Sequence, residues 1–193
     1  MKELALDVAI ILPPEIKRRA IQLSAALGND PAHHLVLDDE HLPHITLSQE
    51  FLRLEELDAA FERIGEALLG QPPLTLQVTG GARSGHSLWM AIERTPALTE
   101  LHERVMEALR GFERPGGGPG AFFEGDARVG DVVWVTGYRL KSSFGAFTPH
   151  ISLGHGDQPP AIEPLTFTAT MVAPCHLGRF CSCRTILRSW ELA

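Results

Sequence analysis

A five-residue phrase, Pro-His-Ile followed by a hydroxyl residue and Leu, occurs twice in this chain, as PHITL at 43–47 and as PHISL at 149–153. Successive side chains of a β-strand point to opposite faces of its sheet, so alternate residues share a face. Each phrase therefore predicts a strand with its histidine and hydroxyl on one face and its apolar residues on the other. The predicted polar pairs are His44 with Thr46 and His150 with Ser152.

These pairs contain the groups that reaction at a phosphate requires. Alternate residues of a strand are about 6.6–6.8 Å apart, so both side chains of a pair can contact one phosphate-sized group. A histidine titrates at about pH 6.5, so one ring of two can act as a base while the other acts as an acid. The hydroxyls of Thr46 and Ser152 are candidates for donating hydrogen bonds to phosphate oxygens. This chemistry requires no metal ion or other cofactor, and a twofold structural repeat without chemistry is the alternative interpretation.

The cysteines and the other histidines do not form a recognisable metal site. The spacing of Cys175, Cys181 and Cys183 in CHLGRFCSC is a poor match to the paired ligands of zinc sites. They are predicted to be reduced thiols on adjoining strands, and an odd number of cysteines fits a reducing compartment. Histidines outside the repeated phrase are, with the exception of His155, predicted to be hydrogen-bonded core or surface residues: His33, His34, His41, His86, His102 and His176.

The repeated phrase resembles the mark of the two-histidine (2H) phosphoesterases, which include 2′,5′-RNA ligase-like proteins and cyclic nucleotide phosphodiesterases. Members carry two His-x-Thr/Ser-x motifs, and HITL at 44–47 and HISL at 150–153 match both. The resemblance implies an α+β fold that is bilobal and pseudo-twofold, with two antiparallel sheets flanking a central cleft and helices outside. It also implies a single bilobal domain over residues 1–193, with His44 and His150 as general acid and base and Thr46 and Ser152 as phosphate-binding residues. Which histidine is the base stays open at this stage.

Other residues are candidates for substrate contact. His155 follows the second motif, where the small cyclic phosphodiesterases commonly have an aromatic residue that helps to hold the substrate. Arg139 and Lys141, in YRLKSS, are candidates for a local positive field. Candidate groups for stacking on a base, each also typical of a core position, are Tyr138, Phe144, Trp89 and Trp134.

Composition limits the class of partner. The formal net charge is −7, which disfavours binding to long duplex nucleic acid because such binding requires many neutralised phosphates; a small nucleotide or an RNA end is compatible with it. Glu3 and Asp7 interrupt the apolar N-terminal segment and argue against a secretion signal. No apolar run approaches the roughly 18–20 residues required to span a bilayer. The protein is therefore expected to be cytoplasmic and without membrane contact. A monomer is also expected.

Hydrophobic patterns predict strands and helices that alternate along the chain. Strands are predicted in ELALDVAIIL, HLPHITLSQEF, LTLQVTGGAR, SLWMAIER, VVWVTGYRL, TPHISLGHG, LTFTATMVAP and CRTILRSWEL. Helices are predicted in PPEIKRRAIQLSAALG, RLEELDAAFERIGEALLG and TPALTELHERVMEALRG. Residues 111–131 are rich in glycine and proline and are predicted to be irregular, either a lid that closes over the cleft with Phe122 and Phe123 or a mobile insertion.

The acid–base chemistry of the motifs, together with what the resemblance to the 2H phosphoesterases implies, predicts a metal-independent phosphodiesterase that hydrolyses 2′,3′-cyclic nucleotide phosphates, or related cyclic phosphodiesters at RNA ends. The alternatives are a non-catalytic nucleotide or RNA-end binding module and 2′,5′-RNA ligase-like activity. The acidic net charge makes the ligase less favoured. The two complete motifs favour an enzyme, because binding alone does not need two titratable groups.

Overall fold

The chain folds into β-strands and α-helices, and the computed structural model describes residues 2–193. The strands are β1 (Glu3–Ile11), β2 (His44–Arg53), β3 (Leu74–Ser84), β4 (Ser87–Ile92), β5 (His150–His155), β6 (Leu165–Ala169), β7 (Met171–Leu177), β8 (Cys183–Ile186) and β9 (Trp190–Glu191). The α-helices are α1 (Pro14–Ala26), α2 (Leu57–Leu68), α3 (Pro96–Leu109) and α4 (Val129–Lys141). Within this part of the chain, no helix is both long and apolar enough to cross a membrane.

The strands form two antiparallel sheets. The strand order is β2-β1-β7-β8 in the first sheet, where β9 also pairs with β7, and β5-β4-β3-β6 in the second. This arrangement confirms the predicted α+β fold with two antiparallel sheets. It also places the two histidine motifs on edge strands, β2 in the first sheet and β5 in the second.

Local sequence determines where the helices begin and which faces they bury. Proline occupies the first turn of α1 and α3, where its missing N–H would have no partner inside the helix. At the start of α3, the Thr95 hydroxyl accepts a hydrogen bond from the Leu98 N–H at 3.2 Å, which satisfies one of the free donors of the first turn. Helix α3 packs against α2 and β2. The buried face of α2 consists of Ala60, Phe61, Ile64 and Leu68.

One continuous cluster of buried apolar side chains includes residues from both sheets and from three of the helices. It contains the apolar positions of both motifs, which are Ile45 and Leu47 in β2 and Ile151 and Leu153 in β5. All four side chains are 0% exposed, and burial of each contributes about 1.5–3 kcal/mol. The predicted alternation is therefore confirmed, because the apolar residues anchor each strand in the core and leave the polar residues on the opposite face.

The segment VVWVTGYRL, which its β-branched residues predict to be a strand, is part of α4 instead. Its burial follows helical spacing, since Asp131, Val135 and Tyr138 are the buried residues. The Asp131 carboxylate accepts a hydrogen bond from the Arg128 N–H at 2.9 Å, which caps the helix N-terminus. Packing of α4 on β2 overrides the strand propensity.

Two segments predicted as single strands each divide into two. LTFTATMVAP forms β6 and β7, which belong to different sheets. CRTILRSWEL forms β8 and β9, which both pair with β7. The chain passes from the second sheet to the first between β6 and β7. Ala169 and Val172, on either side of this point, are both fully buried, so the hydrophobic pattern does not reveal the change of sheet.

The three cysteines are free thiols. Cys175 in β7 and Cys183 in β8 lie on neighbouring strands, as predicted, and Cys181 lies in the turn before β8. Burial raises the pKa of the Cys183 thiol well above its usual value. This thiol is therefore protonated and unreactive.

Residues 111–131 pack against the first sheet. Phe122 is 1% exposed, and its ring centroid lies 5.8 Å from that of Phe51 in β2. Gly117 approaches the same ring so closely that a Cβ atom there would lie 2.5 Å from it. The segment is therefore held to β2 at more than one point.

Of the two interpretations of this segment, a lid that closes over the cleft with Phe122 and Phe123 is contradicted by the packing of these two residues. Phe122 is buried against the sheet, and Phe123 packs edge-on against His176 with ring centroids 5.7 Å apart. The residues of this segment that line the cleft between the motif strands are Arg128, Val129, Gly130 and Asp131. The prediction of an irregular segment holds up to Arg128 apart from two short 3₁₀ turns, but residues 129–131 begin α4, and glycine and proline content does not show the surface on which the segment packs.

Candidate active site

The two motif strands meet at a cleft. Strands β2 and β5 belong to different sheets and contact each other. The cleft beside them has a volume of about 1100 Å³, which is enough for a nucleotide-sized ligand. All the predicted site residues line it: His44, Thr46, His150, Ser152, His155 and Tyr138.

The backbone holds the two motif histidines in the same way. Nδ1 of His44 lies 2.7 Å from the carbonyl oxygen of Leu42, and Nδ1 of His150 lies 2.7 Å from that of Thr148. A carbonyl oxygen only accepts hydrogen bonds, so Nδ1 carries a proton in both rings. Nε2 is therefore the atom of each ring that can take part in proton transfer.

A buried carboxylate that the sequence did not identify lies beside His44. Asp7, in β1, is 0% exposed, and its Oδ2 lies 3.4 Å from Nε2 of His44. The same oxygen accepts hydrogen bonds from Oγ1 of Thr46 at 2.7 Å and from Nε2 of Gln49 at 2.6 Å. Oδ1 has no hydrogen-bond partner among the described residues. The signal in the sequence is a single acidic residue inside the apolar strand, because a buried charge requires compensation.

The charge states of the two histidines differ. Burial lowers the pKa of His44, but the negative charge of Asp7 and the hydrogen bond to the Leu42 carbonyl outweigh this effect and raise it to about 9. Burial also lowers the pKa of His150, and the charge of His44 adds to this effect; the bond to the Thr148 carbonyl and the charge of Asp7 offset it only in part. At neutral pH, His44 is therefore an imidazolium and His150 a neutral ring.

The two motif hydroxyls also differ in their surroundings. Thr46 donates its hydroxyl proton to Asp7, and a hydroxyl has only one proton to donate. Thr46 therefore cannot donate to a phosphate while it keeps this bond. Ser152 pairs with Trp89 of β4 and lines the cleft, which makes it the candidate donor to a phosphate oxygen.

His155 forms part of the cleft wall. Its backbone N–H donates to Oδ1 of Asn29 at 2.8 Å, and its carbonyl accepts from Nδ2 of Asn29 at 2.9 Å. The ring packs against His34 and Phe180, with centroid distances of 5.2 and 5.8 Å. Burial lowers the pKa of His155, and the charges of His34 and Arg128 lower it further. A neutral ring in this position suits contact with an apolar or stacked group better than contact with an anion.

Aromatic side chains border the cleft. Trp89 packs against the His150 ring, with centroids 5.1 Å apart. Trp134, in α4, lines the cleft and is 48% exposed, so part of its ring is available for stacking. Tyr138 is 4% exposed and offers a ligand little surface. Phe144, a further stacking candidate, is not among the residues that line the cleft.

The basic residues near the second motif differ in whether they line the cleft and whether they are already ion-paired. Arg139 forms ion pairs with Glu113 and Glu107, so its charge is already compensated. Lys141 lines the cleft, as does Arg128. Arg128 is ion-paired at the start of α4, which leaves Lys141 as the better candidate for attracting an anion.

One set of potential metal ligands coincides with this site. A carboxylate oxygen of Asp7, a ring nitrogen of His44 and the sulfur of Cys183 lie within 4.8 Å of one another. Oδ1 is the oxygen of Asp7 without a hydrogen-bond partner among the described residues, but a metal ion would also need the thiolate of Cys183, which burial disfavours. The arrangement is an ion pair with a neighbouring thiol.

The six histidines that the sequence predicts to be core or surface residues lie outside the pair of catalytic candidates. His102 is fully buried, and His176 contacts the carbonyl oxygen of Ala121 through Nε2 at 2.9 Å. His34 packs against His155. Three more contact aspartates near the surface: His33 with Asp30, His41 with Asp38 and His86 with Asp157.

Comparison with protein families agrees with this architecture. A family model described as the 2′-5′ RNA ligase superfamily matches residues 12–175. No curated protein matches the chain significantly. The match therefore defines a family without pointing to an individual relative of known activity.

Solved structures of similar fold span the whole chain. Escherichia coli LigT complexed with 3′-AMP has a TM-score of 0.65 and 20% sequence identity, covering 100% of this chain and 99% of LigT. LigT complexed with phosphate has a TM-score of 0.63 and 19% identity, with the same coverage. The protein TT0787 of Thermus thermophilus has a TM-score of 0.63 and 17% identity, covering 98% of both chains. These structures establish the fold, and the family model, which covers most of the chain, shows that the protein belongs to the 2′-5′ RNA ligase superfamily of 2H phosphoesterases.

Proposed function

We propose that this protein is a metal-independent phosphodiesterase that hydrolyses 2′,3′-cyclic nucleotide phosphates, or the related cyclic phosphodiester at an RNA end. The observation that carries the proposal is the matched geometry of His44 and His150. Each Nδ1 is fixed by a carbonyl two residues earlier, and both rings border one cleft. Binding alone does not need two titratable rings in opposite charge states, whereas acid–base catalysis does.

In the proposed reaction, water attacks the phosphorus of the cyclic diester in line with one ribose oxygen. The neutral histidine accepts a proton from the water at Nε2 while the new P–O bond forms. The bond between phosphorus and the ribose oxygen breaks, and the imidazolium donates its Nε2 proton to that oxygen. The products are a ribose hydroxyl and a phosphomonoester, and the histidines return to their starting states by proton exchange with solvent.

Other residues of the cleft support the same reaction. The Ser152 hydroxyl is a candidate donor to a non-bridging oxygen, where negative charge develops in the transition state. The exposed part of Trp134 is a candidate platform for the base, and stacking of this kind contributes about 1–3 kcal/mol per base. LigT, which shares the fold, has been crystallised with 3′-AMP, a nucleoside monophosphate of the kind that this reaction would release.

The proposal is tested by incubating the purified protein with 2′,3′-cyclic AMP, and separately with an RNA oligonucleotide that ends in a 2′,3′-cyclic phosphate, both in the presence of EDTA. We expect phosphomonoester to form, as followed by phosphorus NMR, and His44→Ala or His150→Ala to lower the rate by about 10²–10⁴-fold. His44→Ala leaves Asp7 without its cation, so circular dichroism is needed to show that this variant is folded. Nucleotide binding without turnover would indicate a binding module, and joining of RNA ends without hydrolysis would indicate a ligase. Either result would contradict the proposal.

A further inference from the structure

The two halves of the site pair with their neighbouring strands in the same register, so they can be compared position by position. A bulge interrupts the pairing at the equivalent point in each half, between Val8 and Ala9 in β1 and between Leu88 and Trp89 in β4. The equivalent pairs are Ile11–His44 with Ala91–His150, Ala9–Thr46 with Trp89–Ser152, and Asp7–Gln49 with Ser87–His155. Where the first half has the carboxylate of Asp7, the second half therefore has a neutral serine.

Asp7 is held in place by its neighbours. Thr46 and Gln49 donate to its Oδ2, and Gln49 is itself held by Trp134, whose indole N–H donates to Oε1 of Gln49 at 2.8 Å. A carboxylate buried this completely is costly unless a positive charge compensates it. The cationic group in contact with Asp7 is His44.

We propose that Asp7 is a positioning residue that keeps His44 protonated and so fixes the direction of catalysis, with His44 as the acid and His150 as the base. The inference rests on the proposed function and deepens it. Water enters on the β5 side of phosphorus and gives a proton to Nε2 of His150. The ribose oxygen leaves on the β2 side and takes the Nε2 proton of His44. The neutral Ser87 provides no charge that would hold a proton on His150.

The other titratable groups around the pair do not change this assignment. The groups that face His44 or Asp7 from the surrounding elements are Cys175 on β7, Cys181 in the turn before β8, Cys183 on β8, His150 on β5, Tyr138 on α4 and Glu50 on β2. Burial raises the pKa of both Tyr138 and Glu50 well above their usual values, which disfavours a negative charge on either side chain. Burial likewise raises the pKa of the Cys181 and Cys183 thiols well above their usual values, which keeps these two thiols protonated. Among the charges that act on His44, that of Asp7 raises its pKa the most.

The test compares two conservative changes of buried carboxyl groups. Asp7→Asn keeps the size of the side chain and an oxygen that can accept from Thr46 and Gln49, but it removes the charge. Glu50→Gln is the matched control, because Glu50 is also buried, at 4% exposure, and burial raises the pKa of its carboxyl group well above its usual value. The first measurement is the NMR titration of the His44 ring without substrate. The second is the pH dependence of kcat/KM for 2′,3′-cyclic AMP.

We expect His44 to titrate at about pH 9 in the unmodified protein and at or below its ordinary pKa of about 6.5 in Asp7→Asn, because burial then acts without the opposing charge. The alkaline limb of the activity profile should move with it. At about pH 8, kcat/KM should fall roughly 30-fold or more, in line with the fraction of His44 that stays protonated. Glu50→Gln should change neither measurement.

Two results would overturn the inference. One is a His44 that titrates at its ordinary pKa in the unmodified protein, a measurement that needs no variant. The other is a folded Asp7→Asn protein in which the pKa of His44 is unchanged. If His44 titrates as expected but the unmodified protein hydrolyses no cyclic phosphate, the proposed function fails while the coupling of Asp7 to His44 stands.

Discussion

The imidazole of His102 lies parallel to the ring of Phe147, with centroids 3.9 Å apart and an interplanar angle of 1°. His102 belongs to α3 and is fully buried. Its Nδ1 donates to the carbonyl of Leu47 in β2 at 2.6 Å, and its Nε2 accepts from the N–H of Phe144 at 2.8 Å. One neutral ring thus joins the strand of the first motif to the segment that leads into the second.

Mild acid should destabilise the protein through His102. Its two hydrogen bonds require one protonated and one unprotonated nitrogen, and burial lowers its pKa to about 4. The unfolded chain, in which the pKa is about 6.5, binds the proton first as pH falls, so stability is lost between about pH 6.5 and pH 4. His102→Gln, which does not titrate, should be less stable by about 1–3 kcal/mol at neutral pH, because the buried bonds are made less well.

Urea denaturation at neutral pH and at about pH 5 measures both effects. The difference in stability between the unmodified protein and His102→Gln should shrink at the lower pH, because only the unmodified protein must keep a buried histidine neutral. An unchanged difference would show that the titration of His102 does not contribute.

The rate of the proposed reaction should depend on pH as a broad bell. His150 must be neutral and its pKa is lowered, whereas His44 must be protonated and its pKa is raised to about 9. The value of kcat/KM should therefore rise as pH increases through the lowered pKa of His150 and fall as pH increases through about 9. The two limbs belong to the coupled pair of histidines. Initial rates with 2′,3′-cyclic AMP across this range check the shape, and an alkaline limb close to neutral pH would contradict the charge states assigned here.

Removal of the two motif hydroxyls should have unequal consequences. Thr46→Val removes a donor to the buried carboxylate of Asp7, which should lower stability by about 1–3 kcal/mol. Ser152→Ala removes the candidate donor to phosphate and should lower kcat/KM by up to about 10²-fold with little change in stability. Urea denaturation and steady-state kinetics of both variants separate the two effects. If Thr46→Val and Ser152→Ala lowered the free energy of unfolding equally, the two hydroxyls would not differ in the way that their contacts predict.

The repeated phrase was sufficient to predict the motif strands because alternation along a strand is a local property. Ile45 and Ile151 lie in the core, and His44 and His150 line the cleft, as that alternation requires. Asp7 depends instead on the pairing of β1 with β2, in which the bulge after Val8 brings it opposite Gln49. Neither the pairing partner nor the bulge can be read from one strand alone, so the residue that distinguishes the two halves was missed.

The strand predicted in place of α4 and the lid considered for residues 111–131 failed for a similar reason. The β-branched residues of α4 and the glycines of 111–131 are local signals. The conformation and position of both segments depend instead on packing against β2. Val135 of α4 and Phe122 of the irregular segment belong to the same small cluster of buried side chains, which also includes Phe51 of β2. Sequence pattern predicts local propensity, but it does not show that these two segments share one surface of the sheet.

Residues 111–131 should therefore respond to substitution as a packed segment. A Cβ atom at Gly117 would lie 2.5 to 2.8 Å from three ring atoms of Phe51, whereas a Cβ atom at Gly116 would have no neighbour within 4 Å. Gly117→Ala should push the segment away from β2 and lower stability by about 1–3 kcal/mol, and Gly116→Ala, the matched control, should be nearly neutral. The melting temperature and KM for 2′,3′-cyclic AMP should be measured for both variants. Neither Gly117 nor Phe51 is among the residues that line the cleft. We therefore expect Gly117→Ala to lower the melting temperature with little change in KM. A raised KM at an unchanged melting temperature would instead support the interpretation of this segment as a lid.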